Sequence, residues 1–437
     1  MTSRRTLLKG ALLGTAAALL PTAAPAAVAG RGPFLRLPAP TGPYPVGLRT
    51  VHLTDPARTD PWVGGVRELM LTVLYPARSV RGFRRAPQLT PAEAEVFAEY
   101  APNVHPGLPG QGAVDWGAVL THGHAGAPPL PGRRPVLLYS PGGGDSRTLG
   151  TSLAEDLASH GRVVVLVDHP GDATQVELPT GMRRTVLAGP PDPATFRIMT
   201  ETRIADLRFV VDRLDRLDRL DRLDRLDRLD RLDRLDRLDR LDRLDRLDRL
   251  DRLDRLDRLD RLDRLGRLGR LDRLGRGGSG ELLPLAPVMD LARIGMYGHS
   301  AGGTAAAYAA HGDRRVRAVA NLEGYLDLEP PPVGLGRPLL LFRTDGFAEA
   351  ARVESSWAGL PGRRELLADA NHWAFTDYGS LVPQLRAAGL VTAEARASLV
   401  GTGDPATTLA TLRRGVGSFF ARHLPEDRRG GGRAGAQ

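Results

Sequence analysis

Apolar positions along the chain gather in short runs closed by turn residues rather than in long helical stripes. Residues 69–75, 135–139, 162–168, 293–297, 316–322 and 338–343 are leucine-rich or β-branched, which predicts buried strands. Residues 364–368 predict one more, while 151–160, 202–211 and the small residues 303–310 read as helices. Strands alternating with helices predict an α/β architecture, a mostly parallel central sheet flanked by helices. Ligands of such sheets sit beyond the strand C-termini.

One stretch breaks this pattern. Residues 212–265 are eighteen unbroken copies of Asp-Arg-Leu, followed by a glycine-rich tail to Gly280. Three residues turn a helix by about 300°, so successive leucines step back by about 60° and no continuous apolar face forms. Asp at i meets Arg at i+4 favourably and Asp at i+3 unfavourably. The expectation is a solvated rod of about 80 Å, or a fluctuating helix, expanded on the surface with little part in any chemistry.

Composition is informative once this repeat is set aside. The chain has 437 residues, 60 Lys+Arg against 51 Asp+Glu, and no cysteine. That excludes a disulfide framework, a cysteine-ligated metal site and a cysteine nucleophile. The formal charge of +9 invites a nucleic-acid partner, but the repeat is self-neutralising and Lys9 is the sole lysine. No nucleic-acid binding is expected.

Residues 1–29 predict a cleaved export signal. Arg4-Arg5 precedes the apolar stretch 10–20, and Ala27-Val28-Ala29 offers a small-residue cleavage site. The motif resembles a twin-arginine signal, which implies a secreted protein. Its apolar core is shorter than the ~20 residues that span a bilayer, so no stable membrane insertion is expected. Cleavage removes Arg4, Arg5 and Lys9 and leaves a charge of +6. The polar end 426–437 is expected to be disordered. What remains of 30–425 outside the insertion 212–280 suits one large domain. Oligomeric state is not legible in the sequence.

The sharpest chemical signal is Gly298-His299-Ser300-Ala301-Gly302, a GxSxG motif between a predicted strand and a small-residue helix. Its glycines let a strand reverse into a helix around an exposed serine, so Ser300 is the candidate nucleophile. A serine hydroxyl needs a base, and in this fold type the chain order is serine, acid, histidine. His311 rides away along the elbow helix and His423 ends the last helix. His372, in the loop after 364–368, is therefore the candidate base. Two carboxylates follow predicted strands and suit the acid that orients it, Glu323 and Asp345. Ser140-Pro141-Gly142-Gly143-Gly144 follows an early strand. With no lysine after it, this is an oxyanion loop rather than a phosphate loop, so the N–H groups of Gly143 and Ala301 are the candidate oxyanion donors. His122-Gly123-His124 lacks paired metal ligands and reads as a solvated loop.

The order of these segments resembles the platelet-activating-factor acetylhydrolase-like group of bacterial secreted α/β-hydrolases. Ser140 to Gly144 with Arg147-Thr148-Leu149, Leu157-Ala158-Ser159-His160-Gly161, Val167-Asp168-His169, Gly298 to Gly303 and Asn371-His372 carry the likeness. The resemblance implies an α/β-hydrolase fold and an esterase or lipase acting on small-molecule or lipid esters through an acyl-enzyme. No metal or organic cofactor is required. It places the acid at Glu323, ahead of Asp345, where the family usually has Asp. Pro141 stands where many relatives have histidine. Two other readings of the same residues are an exported scaffold displaying the repeat on an inactive body, and a serine peptidase.

Overall fold

In the computed structural model, the structure describes residues 33–187, 189, 191–244, 279–328 and 336–425. The signal 1–29, the terminus 426–437 and the repeat beyond Leu244 lie outside the described residues.

In chain order the strands are β1 (Val46–Thr59), β2 (Val66–Pro76), β3 (Arg85–Pro87), β4 (Leu120–Ala125), β5 (Arg134–Ser140), β6 (Val163–Val167), β7 (Gln175–Leu178), β8 (Gly181–Arg184), β9 (Met289–His299), β10 (Val316–Leu322), β11 (Leu339–Thr344) and β12 (Arg363–Leu367). The helices are α1 (Pro91–Val104), α2 (Thr151–Ser159), α3 (Pro193–Leu244), α4 (Ala301–His311), α5 (Ala350–Ser356), α6 (Tyr378–Ala387), α7 (Ala393–Val400) and α8 (Pro405–His423). Ten strands form one sheet in the order β12-β11-β10-β9-β5-β6-β2-β1-β4-β3, and β7 pairs with β8 separately. From β6 to β12 the neighbours are parallel, and β2 enters antiparallel to β6.

In the interior of the parallel block both faces are dry, which is why β5, β6, β10 and β11 read as continuous apolar runs, while edge strand β12 is mostly exposed. Along β5, Leu137 and Tyr139 join one core with Tyr297, Ala320 and Phe342. Val136 and Leu138 join the other with Met296, Val319 and Leu341. Of the strands missed in the sequence, β1, β4 and β3 lie beyond β2 in the large sheet, and β7 and β8 form the separate pair. In β1, buried Val51 and Leu53 are separated by half-exposed His52, so no apolar run forms. The His122–His124 segment is a correction of the same kind. It lies in β4, where the N–H groups of His122 and Gly123 donate to Glu155 at 2.5 and 2.7 Å. No cluster of three metal-ligating side chains occurs among the described residues.

The repeat begins as part of the domain rather than as a surface excursion. The predicted helix 202–211 lies in the N-terminal half of α3, which runs from Pro193 through the first copies to Leu244. Leu214 and Leu217 are buried against the second core, and Leu220 packs at its edge. The 60° drift then carries the leucines off the body, with Leu223, Leu226 and Leu229 at 53%, 61% and 62% exposure. The expected i,i+4 pairs form: Asp215–Arg219, Asp218–Arg222 and Asp221–Arg225 at 2.5–2.7 Å. Asp218 also pairs with Arg133 from the start of the β5 segment.

Candidate active site

Ser300 stands between β9 and α4 with φ 53° and ψ −126°, a left-handed conformation that a serine adopts only when its surroundings impose it. The surroundings here are backbone. A Cβ on Gly298 would lie 2.3 Å from the carbonyl of Gly302, and one on Gly302 would lie 2.0 Å from the carbonyl oxygen of Ser140. The strand, the helix start and the β5 loop therefore meet without room for side chains, and the turn presents Ser300 half-exposed.

Glu323 follows β10, the strand beside β9 in register Leu322↔His299. The Ser300 N–H donates to the Leu322 carbonyl at 2.9 Å, so serine and acid leave adjacent strand ends. His372 opens a short 3-10 turn after β12, and its Nδ1 lies 2.8 Å from Glu323 Oε2. The other carboxylate oxygen accepts from the Thr344 N–H at 2.5 Å and its hydroxyl at 2.8 Å. The His372 ring lies 4.5 Å from that of His299, the residue before Ser300, and its carbonyl meets His299 Nε2 at 2.9 Å. Phe347 stacks on the outer face of His372 at 3.9 Å.

Asp345 does not reach His372. Its oxygens accept from the N–H groups of Asp369 and Ala370 at 2.9 and 3.1 Å, which braces the loop carrying the histidine. Burial drives the local electrostatics. It holds His372 well below the ordinary imidazole range, so the ring is neutral at rest. Burial also raises Glu323, opposed by the donors of Thr344.

The glycine loop after β5 lies against the elbow. A Cβ on Gly143 would sit 3.8 Å from that of Ala301, and Gly143 is exposed. Ala301 is the first residue of α4, so its N–H has no intrahelical acceptor. The N–H of Gly143 likewise finds no acceptor among the described residues.

A second serine–histidine–aspartate chain escaped the sequence reading. Ser140 Oγ lies 2.9 Å from His169 Nε2, and His169 Nδ1 lies 2.9 Å from Asp206 Oδ2. Its members are all at 0% exposure, and Asp206 is saturated by Arg67 at 2.7 Å and Arg58 at 2.8 Å. A sealed hydroxyl at the end of a strand cannot meet a substrate, so this chain fastens the loop that begins at Ser140. Its sequence signal was faint, because the aspartate comes from α3, long after the histidine.

The parallel sheet with its helices, and a serine on a strained strand-to-helix turn beside a histidine–carboxylate pair, define an α/β-hydrolase. The comparisons agree. No protein-family model matches the chain. It is 28% identical over 189 residues to a probable 1-alkyl-2-acetylglycerophosphocholine esterase from Arthroderma benhamiae, covering 40% of this chain. That match spans about half (48%) of the curated relative. The solved ferulic acid esterase from Streptomyces cinnamoneus superposes with a TM-score of 0.64 at 29% identity, over 92% of this chain and 97% of that one. The chain thus shares the α/β-hydrolase fold of the solved esterase.

Proposed function

We propose that this chain hydrolyses carboxylic esters of small molecules or lipids through a Ser300–His372–Glu323 triad. The observation that carries the reading is the 2.8 Å contact between His372 and Glu323 on the strand end next to Ser300. An ionised carboxylate only accepts, so the proton sits on Nδ1 and Nε2 is free to take one from Ser300. The alkoxide bonds to the ester carbonyl carbon. Negative charge builds on the carbonyl oxygen, which the N–H groups of Gly143 and Ala301 receive. His372 then protonates the leaving alcohol, and water repeats the sequence on the acyl-enzyme.

The relatives' substrates suggest two ester types, acetyl esters of a glycerophospholipid and esters of an aromatic acid. Rates with p-nitrophenyl acetate, p-nitrophenyl butyrate and methyl ferulate rank short acyl groups against aromatic ones. Equal rates for wild type and Ser300→Ala would sink the triad.

Export rests on Arg4-Arg5, the apolar stretch after it and Ala27-Val28-Ala29. No described helix is long and apolar enough to cross a membrane. Secretion with cleavage after Ala29 predicts an extracellular protein whose intact mass begins at Gly30. Recovery of the full-length chain inside the cell alone would overturn it.

A further inference from the structure

The proposed oxyanion donor on Gly143 lies in a loop of three glycines, and glycines do not hold a peptide in one orientation by themselves. The orientation comes from a buried arginine in α3. Arg203 is 0% exposed. Its guanidinium donates to the Pro141 carbonyl at 2.5 Å and to the Gly142 carbonyl at 2.9 Å. Its remaining face is held by Asp172, at 2.8 Å from Nε and by a second close contact from the terminal nitrogen. Asp172 comes from the loop after β6, so the arginine is clamped between two loops at the strand ends.

The geometry has a direct consequence for the donor. In a trans peptide the C=O and N–H point to opposite sides. Fixing the Gly142 carbonyl on Arg203 turns the Gly143 N–H to the other side of the same plane. The rest of the loop is pinned as well: the Gly142 carbonyl also accepts from Asp145 N–H at 3.1 Å, and the Gly144 carbonyl accepts from Thr174 at 2.9 Å. Met199, one turn before Arg203 on α3, packs 3.5 Å from where a Gly143 Cβ would lie. Arg203 thus has a planar fork matched to two consecutive carbonyls, a task a lysine cannot do.

We propose that Arg203 is the positioning residue of the oxyanion hole, acting through the Pro141 and Gly142 carbonyls to aim the Gly143 N–H at the developing charge. This rests on the ester-hydrolase reading above. An oxyanion donor acts in the transition state more than in the ground state, so its misorientation lowers kcat and spares KM.

The test is Arg203→Lys, which keeps a buried cation beside Asp172 and loses the fork. With p-nitrophenyl butyrate, kcat should fall about 10- to 100-fold, less than the 10²–10³ of deleting a donor outright, with KM within about twofold. Affinity for phenylboronic acid, whose tetrahedral adduct with the serine places an oxygen in the hole, should fall in parallel. Asp172→Asn leaves the guanidinium in place but loosens its clamp, and should show the same signature at smaller size. A folded Arg203→Lys with wild-type kcat, or a kcat loss with unchanged boronate affinity, overturns the proposal. Wild type without Ser300-dependent hydrolysis would instead overturn the reading on which it rests.

Discussion

Replacing Glu323 by glutamine tests the acid at the level of single protons. In the native site Oε1 faces the Thr344 N–H, a donor that cannot reverse, at 2.5 Å. A glutamine in this place must therefore put its carbonyl oxygen toward Thr344 and its NH₂ toward His372 Nδ1, at the present 2.8 Å. Nδ1 then becomes an acceptor, the ring proton moves to Nε2, and the nitrogen facing the serine can no longer take its proton. A triad held in the wrong tautomer loses about 10⁴ in kcat, or about 5–6 kcal/mol of transition-state stabilisation. KM should stay within about twofold, and circular dichroism should stay unchanged, since the side chains are isosteric. Asp345→Asn loses one of two acceptor positions on the loop, worth about 1 kcal/mol, so its kcat should fall less than about tenfold. Steady-state rates on p-nitrophenyl butyrate at pH 8 compare the two. Glu323→Gln within tenfold of wild type, or Asp345→Asn the more damaged, would refute the assignment.

The sealed Ser140–His169–Asp206 chain predicts a contrast: Ser140→Ala should retain activity within about tenfold, while Ser300→Ala loses it, as measured on the same ester. The acid limb of kcat/KM should lie well below pH 6.5. Burial depresses His372, so the base stays neutral until the pH falls below the ordinary histidine value, and a limb at 6.5–7 would contradict this. Replacing residues 224–277 by a short Gly/Ser linker should leave kcat/KM unchanged. Leu217→Ala should cost about 2–5 kcal/mol in urea unfolding, because that leucine is in the core.

The parallel strands and the strand-to-helix turn at Ser300 were legible because burial on two faces writes apolar runs, and because a strained serine needs glycines around it. Glu323 and Asp345 were not separable by spacing, since both follow strands. Their difference is that Glu323 turns inward at φ 61° beside Thr344, whereas Asp345 faces the backbone of its own neighbouring loop. β1 was hidden by polar residues alternating with its buried ones. The boundary of the repeat was hidden for the opposite reason: Leu214 and Leu223 belong to identical triplets, and only their rotation around α3 puts one in the core and the other in water. Arg203 and the Ser140–His169–Asp206 chain join residues from α3 to loops before it, which no local pattern records.

The proposed nucleophile of ester hydrolysis is Ser300. Diisopropyl fluorophosphate labelling followed by peptide mass spectrometry tests it most directly. One phosphoryl group per chain should appear on Ser300, with ester hydrolysis lost in proportion. Labelling at Ser140, or full hydrolytic activity with Ser300 modified, would contradict the account.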